Sequence, residues 1–315
     1  MTQRILILGA GGQIGTELVE ALHNQGNTVL ATDIKDPDEV EFPTDYEIVD
    51  VLDSDRLHRV ISKFSPDVVY HMAAILSATA EKIPLRAWEI NMQGLINVLE
   101  LAREFKFKLF WPSSIAIFGP TTPQDNTPQH TIVEPLTIYG ISKYAGERFI
   151  DYYKNRYGLD IRSLRYPGLI SWKAMPGGGT TDYAVEIFYK AIKNKKYVCY
   201  LSPNRTLPMM YMDDAIRGTI ELMNAPKNSI REASYNFAAI SFSPEELAQE
   251  IKKHIPEFEI FYEPDERDEL AAQWPRSIDD STARKDWNWH NRYNLSQLVE
   301  VMLSQIAKKL EKSAS

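Results

Sequence analysis

The feature that most constrains the fold is a glycine-rich turn between an apolar strand and an amphipathic helix. The run Ile5–Leu8 predicts a buried strand, and the segment Gly9–Gly15 follows it at once. Glycines at positions 9, 12 and 15 allow a tight turn and a close approach to a pyrophosphate, which would lie at the positive N-terminus of the next helix. Taken alone, such a segment is also typical of a strand-helix turn without a ligand.

Strands and helices alternate along the N-terminal half. The apolar pattern predicts strands at 27–33, 46–49, 67–70, 107–111 and 161–166, and helices at 13–23, 53–64, 88–105 and 139–157. This order predicts an α/β fold with a Rossmann, doubly wound parallel sheet. Later segments form a Gly- and Pro-rich loop at 167–181 and short mixed elements. We therefore predict an NAD-binding Rossmann domain over 1–166, with a return segment near 209–240, and a smaller, mainly substrate-binding C-terminal region over 167–315.

The ends of the next strands predict how a dinucleotide would be held. Asp33 follows Gly15 by 18 residues (33 − 15), near the offset of an acid that binds the ribose hydroxyls. Because its carboxylate would repel a 2′-phosphate, we predict NAD rather than NADP. Asp50 and Val51 end the third strand beside the expected adenine, although Asp50 suits a local turn equally well. His71 ends the fourth strand, where we expect a packing or hydrogen-bonding residue rather than a base.

Tyr139 and Lys143 supply the chemistry. They are four residues apart and so share one face of a predicted helix. A nearby cation favours the phenolate, and such a tyrosine can act as a base below its usual pKa of about 10. Ser113 and Ser114 end the fifth strand, and a serine hydroxyl can hold the oxygen of a reacting alcohol. Adjacent strand residues point to opposite faces, so spacing alone leaves both serines open. Without the glycine turn, an exposed helix pair would be the better interpretation.

These parts together resemble the extended short-chain dehydrogenase/reductase family over nearly the whole chain. The residues that carry the resemblance are the glycine turn, Asp33, Pro112–Ser114 and Tyr139 with Lys143. It implies that Tyr139 is the catalytic base, that Lys143 binds the nicotinamide ribose and lowers the tyrosine's pKa, and that Ser114 holds the reacting oxygen. The cofactor-binding residues that it implies are Gly9, Gly12, Gln13, Ile14, Asp33, Asp50, Val51, Met72, Ala73, Ala74, Asn91, Tyr139, Lys143 and Tyr166.

The C-terminal half is similar to the short-chain L-threonine 3-dehydrogenases of that family. The similar strings are 165–171, 176–184, 200–201, 207–215 and 274–277. This resemblance implies oxidation of the 3-hydroxyl of L-threonine to L-2-amino-3-ketobutyrate by NAD, without a metal, in a homodimer. The substrate residues that it implies are Ser77, Ser114, Tyr139, Gly179, Thr180 and Trp274.

Several C-terminal residues have both a functional and a structural interpretation. The segment 177–181 precedes a predicted helix, where N–H groups and threonine hydroxyls suit a carboxylate, but a threonine that only caps the helix is the alternative. Trp274 is also typical of domain packing. Arg205 and Arg276 are cationic candidates for the carboxylate, with surface exposure as their default. By contrast, we expect the acidic pair at 213–214 to cap a helix.

Two other functions are less favoured by the sequence. Sugar-nucleotide epimerases and dehydratases usually carry Arg-x-x-Asn and a tyrosine near the serine motif, whereas this chain has Gly168 and Phe118 at those positions. A catalytically silent NAD sensor would not need the complete set of tyrosine, lysine and serine. Both alternatives are separated from the main hypothesis by net NADH production from a small hydroxy amino acid.

Composition limits the partners. The net charge of −8, from 35 basic and 43 acidic residues, argues against binding of nucleic acid or anionic membranes. Cys199 is the only cysteine, which excludes a disulfide within the chain and argues against a zinc site. No apolar run approaches the roughly 20 residues of a membrane span, and the start leads directly into a strand. We therefore expect a cytoplasmic protein that acts on a small molecule.

Overall fold

The computed structural model describes residues 2–174 and 179–314. The strands in this part of the chain are β1 (Arg4–Leu8), β2 (Thr28–Asp33), β3 (Asp45–Ile48), β4 (Val68–His71), β5 (Lys108–Phe110), β6 (Ser113–Ser114), β7 (Ile161–Tyr166), β8 (Gly168–Ile170), β9 (Lys196–Cys199), β10 (Leu207–Tyr211), β11 (Ser234–Asn236), β12 (Ile240–Phe242) and β13 (Glu259–Tyr262). The helices are α1 (Gln13–Asn24), α2 (Ser54–Phe64), α3 (Ser77–Lys82), α4 (Pro84–Trp88), α5 (Gly94–Phe105), α6 (Ile138–Tyr157), α7 (Tyr183–Asn194), α8 (Met212–Asn224), α9 (Pro244–Lys252), α10 (Glu266–Ala271), α11 (Ser281–Trp287) and α12 (Leu295–Ala314).

A parallel sheet forms the centre of the fold. Its strand order is β3-β2-β1-β4-β5-β7-β11, and β6 also pairs with β7. The pairs from β3 through β7 along this path are parallel. The order reverses between β1 and β4, and cofactors of doubly wound folds bind in the crevice at this point. The predicted Rossmann fold class is thus confirmed.

The central strands are buried on both faces, as their continuous apolar runs predict. Leu6, Leu8 and Val69 belong to one core cluster together with Leu57 of α2 and Leu99 of α5. Asp53 caps α2, as predicted, because its side chain accepts a hydrogen bond from Arg56 N. This core places the ends of β1, β2 and β4 at one edge of the sheet.

The structure differs from the predicted elements in two places. The predicted helix at 88–105 consists of α4, a π-helical segment Glu89–Gln93, and α5. The predicted loop at 167–181 contains β8, which pairs with β10. The pairing of β8 is nonlocal and its run is only three residues long, so periodicity gives no sign of it.

The chain divides into two compact units. The first comprises Met1–Ile117, Pro135–Arg165 and Ile216–Tyr235, and the second comprises Phe118–Glu134, Tyr166–Ala215 and Asn236–Ser315. The first unit contains the parallel sheet. The second contains a sheet of order β12-β10-β8 and a pair of parallel strands, β13 and β9.

In the first unit, buried cations close the C-terminal end of α8. Arg162 is fully buried, donates to the carbonyls of Leu222 and Ala225, and pairs with Asp160. Lys108 donates to another carbonyl at the same helix end. Cations at a helix C-terminus satisfy its free carbonyls and interact favourably with the helix dipole.

In the second unit, Asp214 lies in the first turn of α8, as expected of an acidic residue at a helix start, and it also holds a distant segment. Its carboxylate is fully buried and accepts hydrogen bonds from the backbone N–H groups of Arg292 and Tyr293. The residue thus holds the chain segment that precedes α12. Among the residues described, none of the helices is both long enough and apolar enough for a membrane crossing.

Candidate active site

The glycine turn closes against the neighbouring strand end. Gly9 has a φ of +81°, and a Cβ there would lie 2.4 Å from Ala73 N. A Cβ on Gly15 would lie 2.3 Å from the Gly9 carbonyl oxygen. These distances leave no room for a side chain at either position. The predicted residues Gly9 and Ala73 therefore meet at the point where the strand order reverses.

The turn also has the features that a dinucleotide requires. Helix α1 begins at Gln13 directly after Gly12, and no side chain caps it, so the helix N-terminus is available to a phosphate. The Asp33 carboxylate accepts the Gly11 N–H at 2.8 Å. The Lys35 amine donates to the Gly11 carbonyl at 2.7 Å. Residues 9–14 and Asp33 thus fit the pyrophosphate and ribose of a bound cofactor.

At the third and fourth strand ends, the predicted residues have local structural contacts. The Asp50 carboxylate accepts the Leu52 N–H at 2.9 Å, which is the turn contact considered as its alternative role. Val51 is buried, and its Cγ2 lies 2.8 Å from the position of a Cβ on Gly94. Met72 donates its N–H to the Leu8 carbonyl and so continues the pairing of β4 with β1.

His71 is buried without a hydrogen-bond partner for either ring nitrogen within the described chain. Burial, with the nearby charge of Lys143 as a smaller cause, lowers the pKa of His71 to about 3. The ring is therefore neutral at physiological pH. We expected His71 to be a packing or hydrogen-bonding residue. Since its ring forms no hydrogen bond within the described chain, packing is the role that its burial supports.

Tyr139, Lys143 and Ser114 come together in the first unit. Thr137 caps α6 through Gly140 N and fixes the start of the helix one residue before Tyr139. The Ser114 side chain lies near enough to the Tyr139 phenol to act on its pKa through a hydrogen bond. The Lys143 amine lies 5.6 Å from the centroid of the Tyr139 ring. Taken as a whole residue, Tyr139 is partly exposed.

The Lys143 amine does not contact the phenol hydroxyl. It donates to the Pro112 carbonyl at 2.6 Å and lies 4.4 Å above the centroid of the Trp111 ring. These two contacts hold a buried amine at a fixed place beside the tyrosine. Sequence reasoning missed Trp111 because a strand tryptophan has no spacing signal of its own.

The expected lowering of the tyrosine's pKa by Lys143 is not found in the structure. Burial raises the pKa of Tyr139 to about 12, opposed by the hydrogen bond with Ser114. Burial also lowers the pKa of Lys143 to about 7. Desolvation disfavours the charged form of each group and is the largest cause of both pKa shifts. In the protein alone, Tyr139 is therefore protonated at neutral pH.

Asn91 ties two parts of the site together from the π-helical segment Glu89–Gln93. Its side chain accepts from Ile75 N at 2.8 Å and donates to the Ile75 carbonyl at 3.1 Å. The same amide donates to the Ser142 hydroxyl, which in turn donates to the Tyr139 carbonyl. π-Helical turns often occur at functional sites, where they re-aim a side chain.

The second unit holds the predicted residues Tyr166, Gly179, Thr180 and Trp274, whereas Ser77 and Ala74 lie in the first. Tyr166, Thr180 and Trp274 are buried there. Gly179 donates its N–H to Asp182 at 2.7 Å, so this amide is already engaged and does not fit the expected carboxylate site. Predicted positions 177 and 178 lie outside the described residues.

The two arginine candidates are already paired within the second unit. Arg205 forms two hydrogen bonds with Asp268 at 2.9 Å each, and Arg276 pairs with Asp125. Their charges are thus largely balanced by carboxylates of the chain. In the described part of the chain, no group of three or more His, Cys, Asp or Glu side chains is arranged to hold a metal.

The sheet order, the glycine turn and the Ser114–Tyr139–Lys143 arrangement define an extended short-chain dehydrogenase/reductase. The chain belongs to the NAD dependent epimerase/dehydratase family, which it matches over residues 5–238. It is therefore an enzyme of this family, and the predicted cofactor NAD is confirmed.

Proteins similar to nearly the full length of this chain include some named as epimerase/dehydratases and others named as L-threonine dehydrogenases. A protein of Staphylococcus haemolyticus named as an uncharacterized epimerase/dehydratase is 47% identical over 98% of each chain. The solved L-threonine dehydrogenase of Phytophthora infestans is 47% identical, with a TM-score of 0.94 over 97% of this chain and 99% of that one. The holo form of a GalE-like L-threonine dehydrogenase from Cupriavidus necator is 49% identical, with a TM-score of 0.94 over 96% and 99%.

Proposed function

We propose that this enzyme oxidises the 3-hydroxyl of L-threonine to L-2-amino-3-ketobutyrate and reduces NAD. The observation that carries the chemistry is the hydrogen bond between Ser114 and Tyr139 beside the buried amine of Lys143. The choice of substrate is supported by the full-length similarity to solved L-threonine dehydrogenases.

In this proposal Tyr139 accepts the proton of the substrate hydroxyl. The Ser114 hydroxyl holds the same oxygen while its bond to hydrogen breaks and its bond to carbon becomes a carbonyl. NAD, which residues 9–14 and Asp33 would hold, would supply the acceptor for the hydride of the alcohol carbon and the positive charge of an oxidised ring. Lys143 stays fixed on Pro112 and Trp111, and its charge favours the phenolate when it is protonated.

The substrate residues remain part of the proposal. Ser77 begins α3 in the first unit, and Thr180 and Trp274 lie in the second. Since the Gly179 amide is engaged by Asp182, the Thr180 hydroxyl is the better candidate within its segment for a contact with the substrate. A cytoplasmic homodimer acting on a small molecule completes the proposal. The net charge of −8 supports only the small-molecule part, because it argues against nucleic acid and anionic membranes as partners.

A sugar-nucleotide epimerase or dehydratase is the second candidate because the family includes these activities. One observation weakens it. A Cβ at Gly168 would lie 2.4 Å from Met209 Sδ and 2.9 Å from Thr181 Cγ2. The asparagine that such enzymes usually carry at this position would require the Met209 and Thr181 side chains to move.

The test is an NADH absorbance assay with L-threonine, its allo and D isomers, L-serine and UDP-sugars. The proposal predicts net NADH formation with L-threonine and much slower formation with the other compounds. An epimerase would recycle its cofactor, so a converted UDP-sugar without net NADH would favour the second candidate. No NADH from L-threonine would reject the proposed reaction.

A further inference from the structure

One buried ion pair adjoins the active site without taking part in the proposed chemistry. Glu147 lies on α6, four residues after Lys143 and eight after Tyr139, and so continues the same helix face. Its side chain is completely buried and accepts two hydrogen bonds from Arg165 of β7, at 2.9 and 2.8 Å. It also accepts the Ser113 hydroxyl at 2.6 Å. We call these three residues the Ser113–Glu147–Arg165 cluster.

The cluster repeats a pattern of contacts between one strand end and one helix. Pro112 contacts Lys143 through its carbonyl, and Ser114 contacts Tyr139 through its hydroxyl. Ser113 lies between them and contacts Glu147 on the next helical turn. Pro112, Ser113 and Ser114 thus each contact α6. The partners of Pro112 and Ser114 are Lys143 and Tyr139, which form the reactive pair.

The chain around residues 112–114 also packs closely against α6 on either side of these three contacts. A Cβ on Gly140 would lie 2.1 Å from the Ala116 carbonyl oxygen. A Cβ on Gly146 would lie 2.3 Å from the Trp111 ring. Because the backbones approach so closely, a small displacement of the strand end changes the distance between Ser114 and Tyr139.

We propose that the Ser113–Glu147–Arg165 cluster positions the Ser114 hydroxyl against Tyr139, and that Ser113 and Glu147 are positioning residues. A buried carboxylate is retained only where its charge and its lone pairs are satisfied. Arg165 balances the charge of Glu147 and Ser113 occupies one of its lone pairs. The strand end that carries Ser114 is consequently fixed to the helix that carries Tyr139.

The first variant is Ser113→Ala, which removes one hydrogen bond and leaves the ion pair intact. With tyrosine labelled at its ζ-carbon, the NMR resonance of Tyr139, assigned through Tyr139→Phe, reports the hydrogen bond of the phenol. We expect Ser113→Ala to move this resonance toward its position in Ser114→Ala, which removes that hydrogen bond outright. An unchanged resonance would overturn the proposal.

The kinetic measurement rests on the proposed function, with L-threonine as substrate. The Ser114 hydrogen bond lowers the pKa of Tyr139, so its weakening should move the rise of kcat to higher pH. A move of about half a pH unit corresponds to a roughly threefold loss of kcat at neutral pH that is regained at alkaline pH. The KM for NAD should change by less than about twofold. A uniform loss of kcat at every pH, or none, would contradict positioning.

Asp160→Asn is the matched control. Asp160 also pairs with an arginine of β7 through two hydrogen bonds, to Arg162 at 2.7 and 2.9 Å, but at the C-terminal end of α8. We expect this variant to lower the melting temperature and leave the Tyr139 resonance unchanged. If Asp160→Asn changed the Tyr139 resonance as much as Ser113→Ala does, the change would reflect a general loss of stability and the proposal would be rejected. If wild type makes no NADH from L-threonine, the proposed function fails while the resonance still decides the role of the cluster.

Discussion

Tyr139 and Lys143 differ in exposure, and the difference suits their roles. As a whole residue Tyr139 is partly exposed, whereas Lys143 is 2% exposed and is held by Pro112 and Trp111. Burial favours the neutral form of both groups, with pKa values of about 12 and about 7. The site therefore keeps a buried amine that destabilises the fold near neutral pH, as active sites often do.

Lys143→Met should stabilise the protein without cofactor, and more so at lower pH. The folded pKa of about 7 lies below the ordinary value of 10.5, so the unfolded chain holds a proton between these values that the folded chain lacks. Because of Lys143, the free energy of unfolding of the wild-type protein consequently rises from pH 7 to 10. One pKa unit corresponds to about 1.4 kcal/mol in the free energy of unfolding. We therefore expect the stability difference between Lys143→Met and wild type to narrow by a few kcal/mol from pH 7 to 10. Denaturant unfolding at several pH values measures it, and a constant difference would contradict the burial argument.

Asp33→Asn should relax the preference for NAD over NADP. Asparagine keeps an acceptor for the Gly11 N–H but loses the charge that repels a 2′-phosphate, and the Lys35 amine lies beside it. We expect the ratio of kcat/KM for NAD to that for NADP to fall at least about tenfold, equal to about 1.4 kcal/mol. Asp36→Asn, an exposed acid nearby, is the control and should leave the ratio unchanged. An unaltered ratio in Asp33→Asn would show that another group selects the cofactor.

At this scale the sequence indicated the residues whose chemistry has a characteristic spacing. Tyr139, Lys143 and Asp33 are examples, because each follows from a helix turn or a strand end. Trp111 and Arg165 were not predicted, since their roles depend on which elements pack together. Glu147 continues the four-residue spacing of Tyr139 and Lys143, and that signal could have found it.

Helix α6 connects the reactive residues to the sheet at the scale of elements. It lies against the strand end so closely that glycine is required at two positions, 140 and 146. The apolar periodicity predicted this helix almost to its ends, because a 20-residue helix carries many turns of signal. The π-helical segment around Asn91 was not predicted, since its extra residue follows from tertiary contacts with Ile75 and Ser142.

Gly146→Ala should disturb the active site through α6. Its Cβ would lie 2.3 Å from the Trp111 ring, on which Lys143 rests. We expect a loss of about 1–3 kcal/mol in the free energy of unfolding and a lower kcat. Gly158→Ala, at the end of the same helix with a φ of +68° and open space around it, should cost roughly 1 kcal/mol and leave kcat unchanged. Equal effects of the two variants on kcat would contradict this account of the packing.

At the scale of the whole molecule, the first unit carries exposed apolar side chains on α4 and α6. Ile141, Phe149 and Tyr152 of α6 are 41%, 38% and 56% exposed. Leu85 and Trp88 of α4, which packs against α6, are 86% and 40% exposed. Monomeric proteins rarely expose contiguous apolar patches of this kind without a function for them.

We predict that the protein is a homodimer through this surface and that Tyr152→Glu yields a monomer. A charge placed in a buried apolar interface is strongly disfavoured. Sedimentation velocity measures the change. Phe261→Glu is the control, because Phe261 is 50% exposed on β13 of the second unit. A wild-type monomer, or a dimer that persists in Tyr152→Glu, would show that this surface has another role.

The parallel sheet and the cofactor were predictable because the alternation of strands and helices extends over half the chain. It was not predictable that Phe118–Glu134 belongs to the second unit, because that assignment depends on nonlocal pairs such as Thr127 with Ile278. Local pattern determines elements, whereas the grouping of distant segments follows from packing.

The account depends most on Tyr139 as the proton acceptor, and the variant Tyr139→Phe tests it directly. NADH formation from L-threonine and the fluorescence titration of NADH are measured on the same preparation. We predict a loss of turnover of about 10³-fold or more, with NADH affinity within about twofold of wild type. A variant that binds NADH normally and keeps a rate near that of wild type would contradict the central claim.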